Sequence, residues 1–427
     1  MGIINDTPHR RGSGLRTVGA CLALVGLLAG CDSLLEVDAN TQTVPAEELN
    51  NPTSLQARLI GAQADFYFAA DMAIVYGGLF TDELIDATGF ETVDQRRVTP
   101  DNGAVGATDE APEGIDGLWT PMQRAAAVTD VLQEDILAGN YPNQIPSPTT
   151  SQQLADISLL AGYTKLMLAD LFCTTAFGGD GPEYTSDETY GLAIDELTQA
   201  VDATSASAAV RNAALVGRAR AKLQLGDEAG ALADARQVPP DFQFIADVYS
   251  SNSQKEENDL WNMMFDSQRF SVGPDYRNAT VPGTDTPDPR LETRLDPGNG
   301  VGSDGFTPLW QPLKYQSATS PIRLASGDEA QYIVAELVGG QEAVDIINDV
   351  RARRGITETF SSSDEDEILS MIFQERAHGL FLEGQRMADL ERYLEVYGVN
   401  LFPTGPGYGD QTCMPLPNAE RDNNPGI

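Results

Sequence analysis

The chain has 427 residues, with 64 acidic against 27 basic side chains and a formal charge of −37. Such a field opposes nucleic acid and anionic membrane surfaces, and it repels polyanionic substrates. Lysine is confined to Lys165, Lys222, Lys255 and Lys314, so the charge sets solubility and does not by itself name a ligand.

Arg10, Arg11 and Arg16 form a basic start, followed by a short apolar run from Thr17 to Gly30 that ends Leu28-Ala29-Gly30-Cys31. The run falls short of the ~20 apolar residues needed to cross a bilayer core, so it reads as a secretion signal over residues 1–30. Its ending resembles a bacterial lipoprotein cleavage site, which would make Cys31 the acylated first residue. The Arg10-Arg11 pair fits twin-arginine export poorly. Residues 31–45 read as an extended, lipidated tether, and residues 46–427 as a single domain, because no Ser/Gly/Pro-rich linker divides them.

From Ala46 to Glu83 the pattern predicts a helix, with Leu55, Leu59, Ala62, Phe66 and Ala69 on one side. Gly89 to Gly114, rich in Gly, Asp and Thr, reads as a long loop of the kind that carries function. Helices follow over Trp119–Ala138 and Gln152–Phe172. Small residues at helical spacing then stripe the stretches around Ala193–Val201, Ala213–Leu223 and Ala229–Val238, a tetratricopeptide-like array of paired helices. A further pair covers Glu329–Leu337 and Glu342–Arg354. The paired-helix scaffold is expected over about 151–238 and 327–397. Between them, residues 239–326 are irregular, dense in Pro, Gly, Asp and Asn, and hold Trp261 and Trp310. Within this region Asp296 to Gly305 loosely follows calcium-loop spacing, but Thr307 stands where a bidentate glutamate is needed, so a plain acidic loop is expected. With Cys31 lipidated and Cys21 in the signal, Cys173 and Cys413 are left, and outside the cytoplasm they are expected to pair.

The stretch from Phe373 to Leu394 has its apolar residues at helical spacing. Beside them runs an alternating ladder, Glu383, Arg386, Asp389 and Arg392, three residues apart and therefore able to pair along a helix. Gly379 and Gly384 each cost about 1 kcal/mol in a helix interior, which points to close packing or a break. The arrangement resembles the C-terminal signature of the SusD/RagB family of outer-membrane nutrient-binding lipoproteins, roughly Glu-Arg-x-x-Glu-Leu-x-x-Glu-Gly-x-Arg-x-x-Asp-Leu-x-Arg. The chain matches at Glu375, Arg376, Leu380, Glu383, Gly384, Arg386, Asp389, Leu390 and Arg392, and departs at Gly379. Asp288-Pro289-Arg290, Lys314 with Pro321-Ile322, Ala335-Glu336, residues 348–353 and the chain end from Cys413 to Pro425 extend the resemblance.

The resemblance implies an all-α, tetratricopeptide-like superhelical scaffold with long irregular loops. It also implies a surface lipoprotein, lipid-anchored in the outer membrane, that binds a glycan or other nutrient and passes it to a SusC-like TonB-dependent transporter. No nucleic acid, cofactor or metal is expected. Catalysis is not expected either: past residue 30 only His378 could serve as a base, and no His-Glu-x-x-His, Gly-x-Ser-x-Gly or phosphate-loop motif is present. Sugar binding needs aromatic faces and a few polar groups. The candidate ligand residues are Asp82, Phe90, Arg96 and Arg97 after the first helix, with Trp261, Tyr276 and Trp310 from the irregular region. The signature helix is expected to brace the frame without touching ligand. A helical-repeat scaffold that binds protein segments, without a small-molecule site, is the alternative reading of the paired helices.

Overall fold

The computed structural model describes residues 52–88, 96–98, 117–246, 257–405 and 408–427. Cys31, the expected signal and tether over residues 1–45, and Phe90 lie outside the described residues. From Pro52 onward the chain forms one compact unit.

Six helices come first: α1 (Pro52–Phe80), α2 (Trp119–Leu137), α3 (Gln152–Leu171), α4 (Ser186–Asp202), α5 (Ala208–Gln224) and α6 (Glu228–Ala235). Each packs against the next in sequence. Four of them, α3 to α6, start at side chains that satisfy free N–H groups of the first turn. Ser151 accepts from Leu154, Ser207 from Val210 and Asp227 from Gly230, while Thr185 and Glu188 make a reciprocal capping box. Two glycines let the middle helices close up. A Cβ at Gly162 would lie 2.6 Å from Leu197 Cγ, and one at Gly217 would lie 2.9 Å from the Tyr163 ring. Tyr163 uses its hydroxyl to donate to the Ala213 carbonyl, 2.9 Å away.

A second helical group follows: α7 (Gly327–Val338), α8 (Gly340–Arg353), α9 (Glu365–Gly379), α10 (Arg386–Tyr397) and the short α11 (Asn418–Asn423). Helix α7 packs on α5 and α6 as well as on α8 and α9, and α10 packs on α1 and α3. The two helical groups thus share one apolar core. The architecture is all-α with paired helices, as the sequence predicts.

The only strands among the described residues form two-stranded antiparallel ribbons. These are β1 (Leu84–Asp86) with β5 (Phe270–Val272), β2 (Thr174–Thr175) with β3 (Tyr184–Thr185), β4 (Gln243–Ala246) with β8 (Ile322–Ser326), and β6 (Thr293–Leu295) with β7 (Trp310–Pro312). The β6–β7 hairpin carries the acidic loop. There Asp296 accepts from the Gly298 and Gly300 amides, and Asp304 accepts from Phe306 and Thr307. Cys173 and Cys413 are bonded, closing a sequence separation of 240 residues beside a bridge between Phe172 and Met414.

The signature stretch is not one helix. Helix α9 stops at Gly379, where a Cβ would lie 2.7 Å from the Tyr332 hydroxyl, and the chain turns through Leu382 (φ 53°) and Gly384 (φ 84°) before α10 begins. Its charges do not form a ladder along one surface either. Only Asp389 and Arg392 pair at three-residue spacing. Glu383 takes Lys314 and Arg323, Arg386 takes Asp82, Arg376 takes Asp389, and Arg392 takes Glu336. The break at the turn separates the two helical faces, so the charges look inward to different elements. Most of these partners are buried, where removing one member of a pair leaves a costly unpaired charge.

Candidate functional site

The 380–385 turn is tied down from several directions. The Leu382 amide donates to Glu83 Oε1 at 2.8 Å, Tyr315 donates its hydroxyl to the Leu382 carbonyl at 2.9 Å, and Lys314 donates to the Phe381 carbonyl at 2.7 Å. On its far side the β1–β5 ribbon brings Asp82 next to the 274–276 turn. This approach requires Gly273, because a Cβ there would lie 1.9 Å from the Asp82 carbonyl oxygen.

Between these elements lies a cavity of about 760 Å³. One wall is the outward face of α9: Leu369, Ser370, Phe373, Gln374, Ala377 and His378. The other walls are Asp82 and Arg386, Asp275 and Tyr276, and Tyr397 with Val399 and Leu401 at the end of α10. Its volume is that of a small-molecule site, and its lining mixes aromatic rings with a few polar groups.

The polar groups are held in place. Arg386 grips Asp82 with two parallel hydrogen bonds of 2.8 and 2.6 Å. Tyr276 donates to Asp82 Oδ1 at 3.4 Å and stacks on Phe381 with ring centroids 4.7 Å apart. Burial pushes the Tyr276 hydroxyl well above its usual range, so it stays a proton donor. Phe373 stacks on Tyr393 and tilts against Tyr397, which fixes the aromatic end of the cavity. His378 Nδ1 lies 2.9 Å from Asp288 Oδ2. Burial alone would raise the Asp288 carboxyl, but hydrogen bonds from His378 and Arg290 outweigh it and hold the group far below the usual carboxylate range. Arg290 continues to Glu375 at 2.6 Å, and Glu375 to Arg351 at 2.7 Å. A chain of buried charges therefore runs from the cavity wall into the core.

Of the residues singled out from the sequence, the cavity brings together Asp82 and Tyr276. Arg96 serves the frame instead: it is buried, with φ 59°, donates to the carbonyls of Gln411 and Pro403, and covers the Phe402 ring at 4.7 Å. Arg97 is exposed and does not line this cavity. Trp261 is half-buried in a short turn whose amide is held by Asn258. Trp310 is half-buried against the core with Arg277 5.9 Å over its ring. Neither tryptophan lines the cavity. Sequence reasoning missed Asp275, Phe373, Gln374, His378 and Tyr397. Phe373 stood in the apolar spacing of the signature helix, where it and Ala377 were read as part of the face laid against the core. The signature helix was expected to brace the frame without touching ligand; one face of its first half, α9, lines this cavity.

Residues 329–424 match the SusD family model. No curated protein matches the chain. Among solved structures, surface glycan-binding protein A from Bacteroides uniformis is 15% identical, with 88% of this chain and 99% of that one covered at a TM-score of 0.62. A laminarin-binding SusD-like protein is 14% identical over 88% and 98%, with TM-score 0.61. A SusD superfamily protein from Bacteroides vulgatus is 12% identical over 88% and 97%, with TM-score 0.64. At these identities the structures speak for the fold. The chain thus carries a segment similar to the SusD family at residues 329–424, set on a fold shared with SusD superfamily structures.

Proposed function

We propose that this protein is a lipid-anchored outer-membrane component that captures a glycan and delivers it to a SusC-like TonB-dependent transporter. The observation that carries this is the match of residues 329–424 to the SusD family on a fold shared with a surface glycan-binding protein and a laminarin-binding protein. The cavity beside the signature helix supports it. Its Tyr276, Phe373 and Tyr397 rings and its fixed polar groups suit an oligosaccharide unit, which needs apolar faces for its C–H surfaces and donors and acceptors for its hydroxyls. Anchoring through Cys31 would place this domain at the membrane without a spanning helix; among the described residues no helix is long and apolar enough to cross.

We read the role as capture without turnover. At the cavity the Asp82 carboxylate is occupied by Arg386, which favours rigid binding over proton transfer by this acid. The test is a glycan array followed by calorimetry, together with affinity purification from native membranes. Saturable binding of at least one glycan, unchanged glycan on recovery, and co-purification of a TonB-dependent transporter are expected. Absence of glycan binding, or multiple-turnover hydrolysis, would sink the reading.

A further inference from the structure

The histidine in the cavity wall allows a narrower statement, which rests on the glycan reading above. Asp288 has a fully buried side chain and already receives Arg290 through Nε at 2.9 Å and Nη2 at 2.7 Å. An ionised carboxylate only accepts hydrogen bonds, so the imidazole nitrogen facing it must carry the proton. In the neutral ring this leaves Nε2 as a bare acceptor, the usual consequence of a carboxylate fixing a histidine tautomer. The ring lines the cavity with its side chain 17% exposed, and among the described residues only Asp288 hydrogen-bonds to it.

The charges around it are one-sided. Asp275 and Asp366 line the same cavity and are exposed. Its one arginine, Arg386, has its fork occupied by Asp82. A carboxylate or sulfate on a sugar would meet these acids and an acceptor nitrogen, with no free cation among the described lining residues. A hydroxyl or an amine would find acceptors.

We propose that His378 is a ligand-binding residue that accepts a hydrogen bond through Nε2 from a non-acidic saccharide, neutral or amine-bearing, and that Asp288 is its positioning residue. With His9 replaced by alanine, His378 is the only imidazole of the full chain. Nitrogen-15 labelling of histidine then reports the tautomer and the Nε2 environment directly. Titrations would use a mixture of gluco-, manno- and galacto-oligosaccharides, chitosan oligosaccharides, and alginate oligosaccharides. The expected results are an Nδ1–H tautomer in the free protein and an Nε2 resonance that moves on saturation with a neutral or amino oligosaccharide. Alginate oligosaccharides should bind at least tenfold more weakly. The His378→Phe variant should lose about tenfold in affinity while melting within a few degrees of the parent. Binding with an unmoved Nε2, an Nε2–H tautomer, or equal affinity for alginate overturns this assignment and leaves the glycan reading standing. If none of the three classes binds, both fall.

Discussion

Replacing Glu375 by alanine is expected to lower stability by about 3–5 kcal/mol, the usual cost of leaving a buried charge without its partner. The Glu375 side chain is fully buried and receives Arg290 at 2.6 Å and Arg351 at 2.8 and 2.7 Å. Arg290 would keep Asp288, but Arg351 would be left with the carbonyl oxygens of Pro282 and Glu358. Total stabilities of folded domains are only ~5–15 kcal/mol, so this single change takes a large share. Urea denaturation with Glu375→Ala, Arg351→Met and the double variant checks it. The double variant should recover more than half of the loss, because the uncompensated cation is gone. A Glu375→Ala protein within about 1 kcal/mol of the parent would show that the network carries little energy.

Stability should also fall as the solution is made alkaline. Burial raises Glu83 to about 8, Asp71 to about 7 and Asp170 to about 6, against ordinary values of 4.5 for the glutamate and 3.8 for the two aspartates. A carboxyl whose folded pKa lies above its unfolded value holds its proton more tightly in the folded state. Its contribution is therefore complete below about pH 4 and is lost as pH rises through 6 to 8. A tenfold change in proton affinity on folding corresponds to about 1.4 kcal/mol, so the three groups together place several kcal/mol in this window. Asp389 works in the opposite sense. Burial opposes its ionisation, but the charges of Arg376 and Arg392 prevail and hold it at about 2. Its share is present above about pH 4 and disappears as pH falls toward 2. Urea midpoints should accordingly peak near pH 5 and drop by pH 8.5. Glu83→Gln keeps an oxygen for the Leu382 amide while removing the titration, and should flatten part of the alkaline drop. A midpoint that rises from pH 5 to 8.5 would contradict this ordering.

Much of the frame was legible before the structure. Helix positions followed from the apolar stripes: α2, α3, α7 and α8 lie within a few residues of their expected bounds, and in the structure Ser151 and Ser326 cap the starts of α3 and α7. Of the first helix, the described part is Pro52–Phe80, and the expected start at Ala46 lies outside the described residues. The signature stretch was legible as a pattern but not as geometry. Three-residue spacing suggests neighbours on a helix, whereas the positive φ at Leu382 and Gly384 redirects the chain and sends most of the charges to partners far away in sequence, such as Asp82 for Arg386. The cavity was half legible. Asp82 and Tyr276 were singled out as loop-borne groups, but loops were favoured too strongly. A helix that braces the core on one face can line a cavity on the other, and nothing in the charges of α9 reveals which face is wet.

The central claim is that the cavity between α9, the 274–276 turn and the end of α10 holds the saccharide. Ala377 lines it and is only half-buried, so Ala377→Trp fills the space from a surface that tolerates bulk. Calorimetric titration of this variant and its parent, with the glycan selected on the array, tests the claim most directly. Loss of at least tenfold in affinity with melting unchanged within a few degrees is the predicted result. Unchanged affinity in a folded Ala377→Trp protein would place the ligand elsewhere and contradict it.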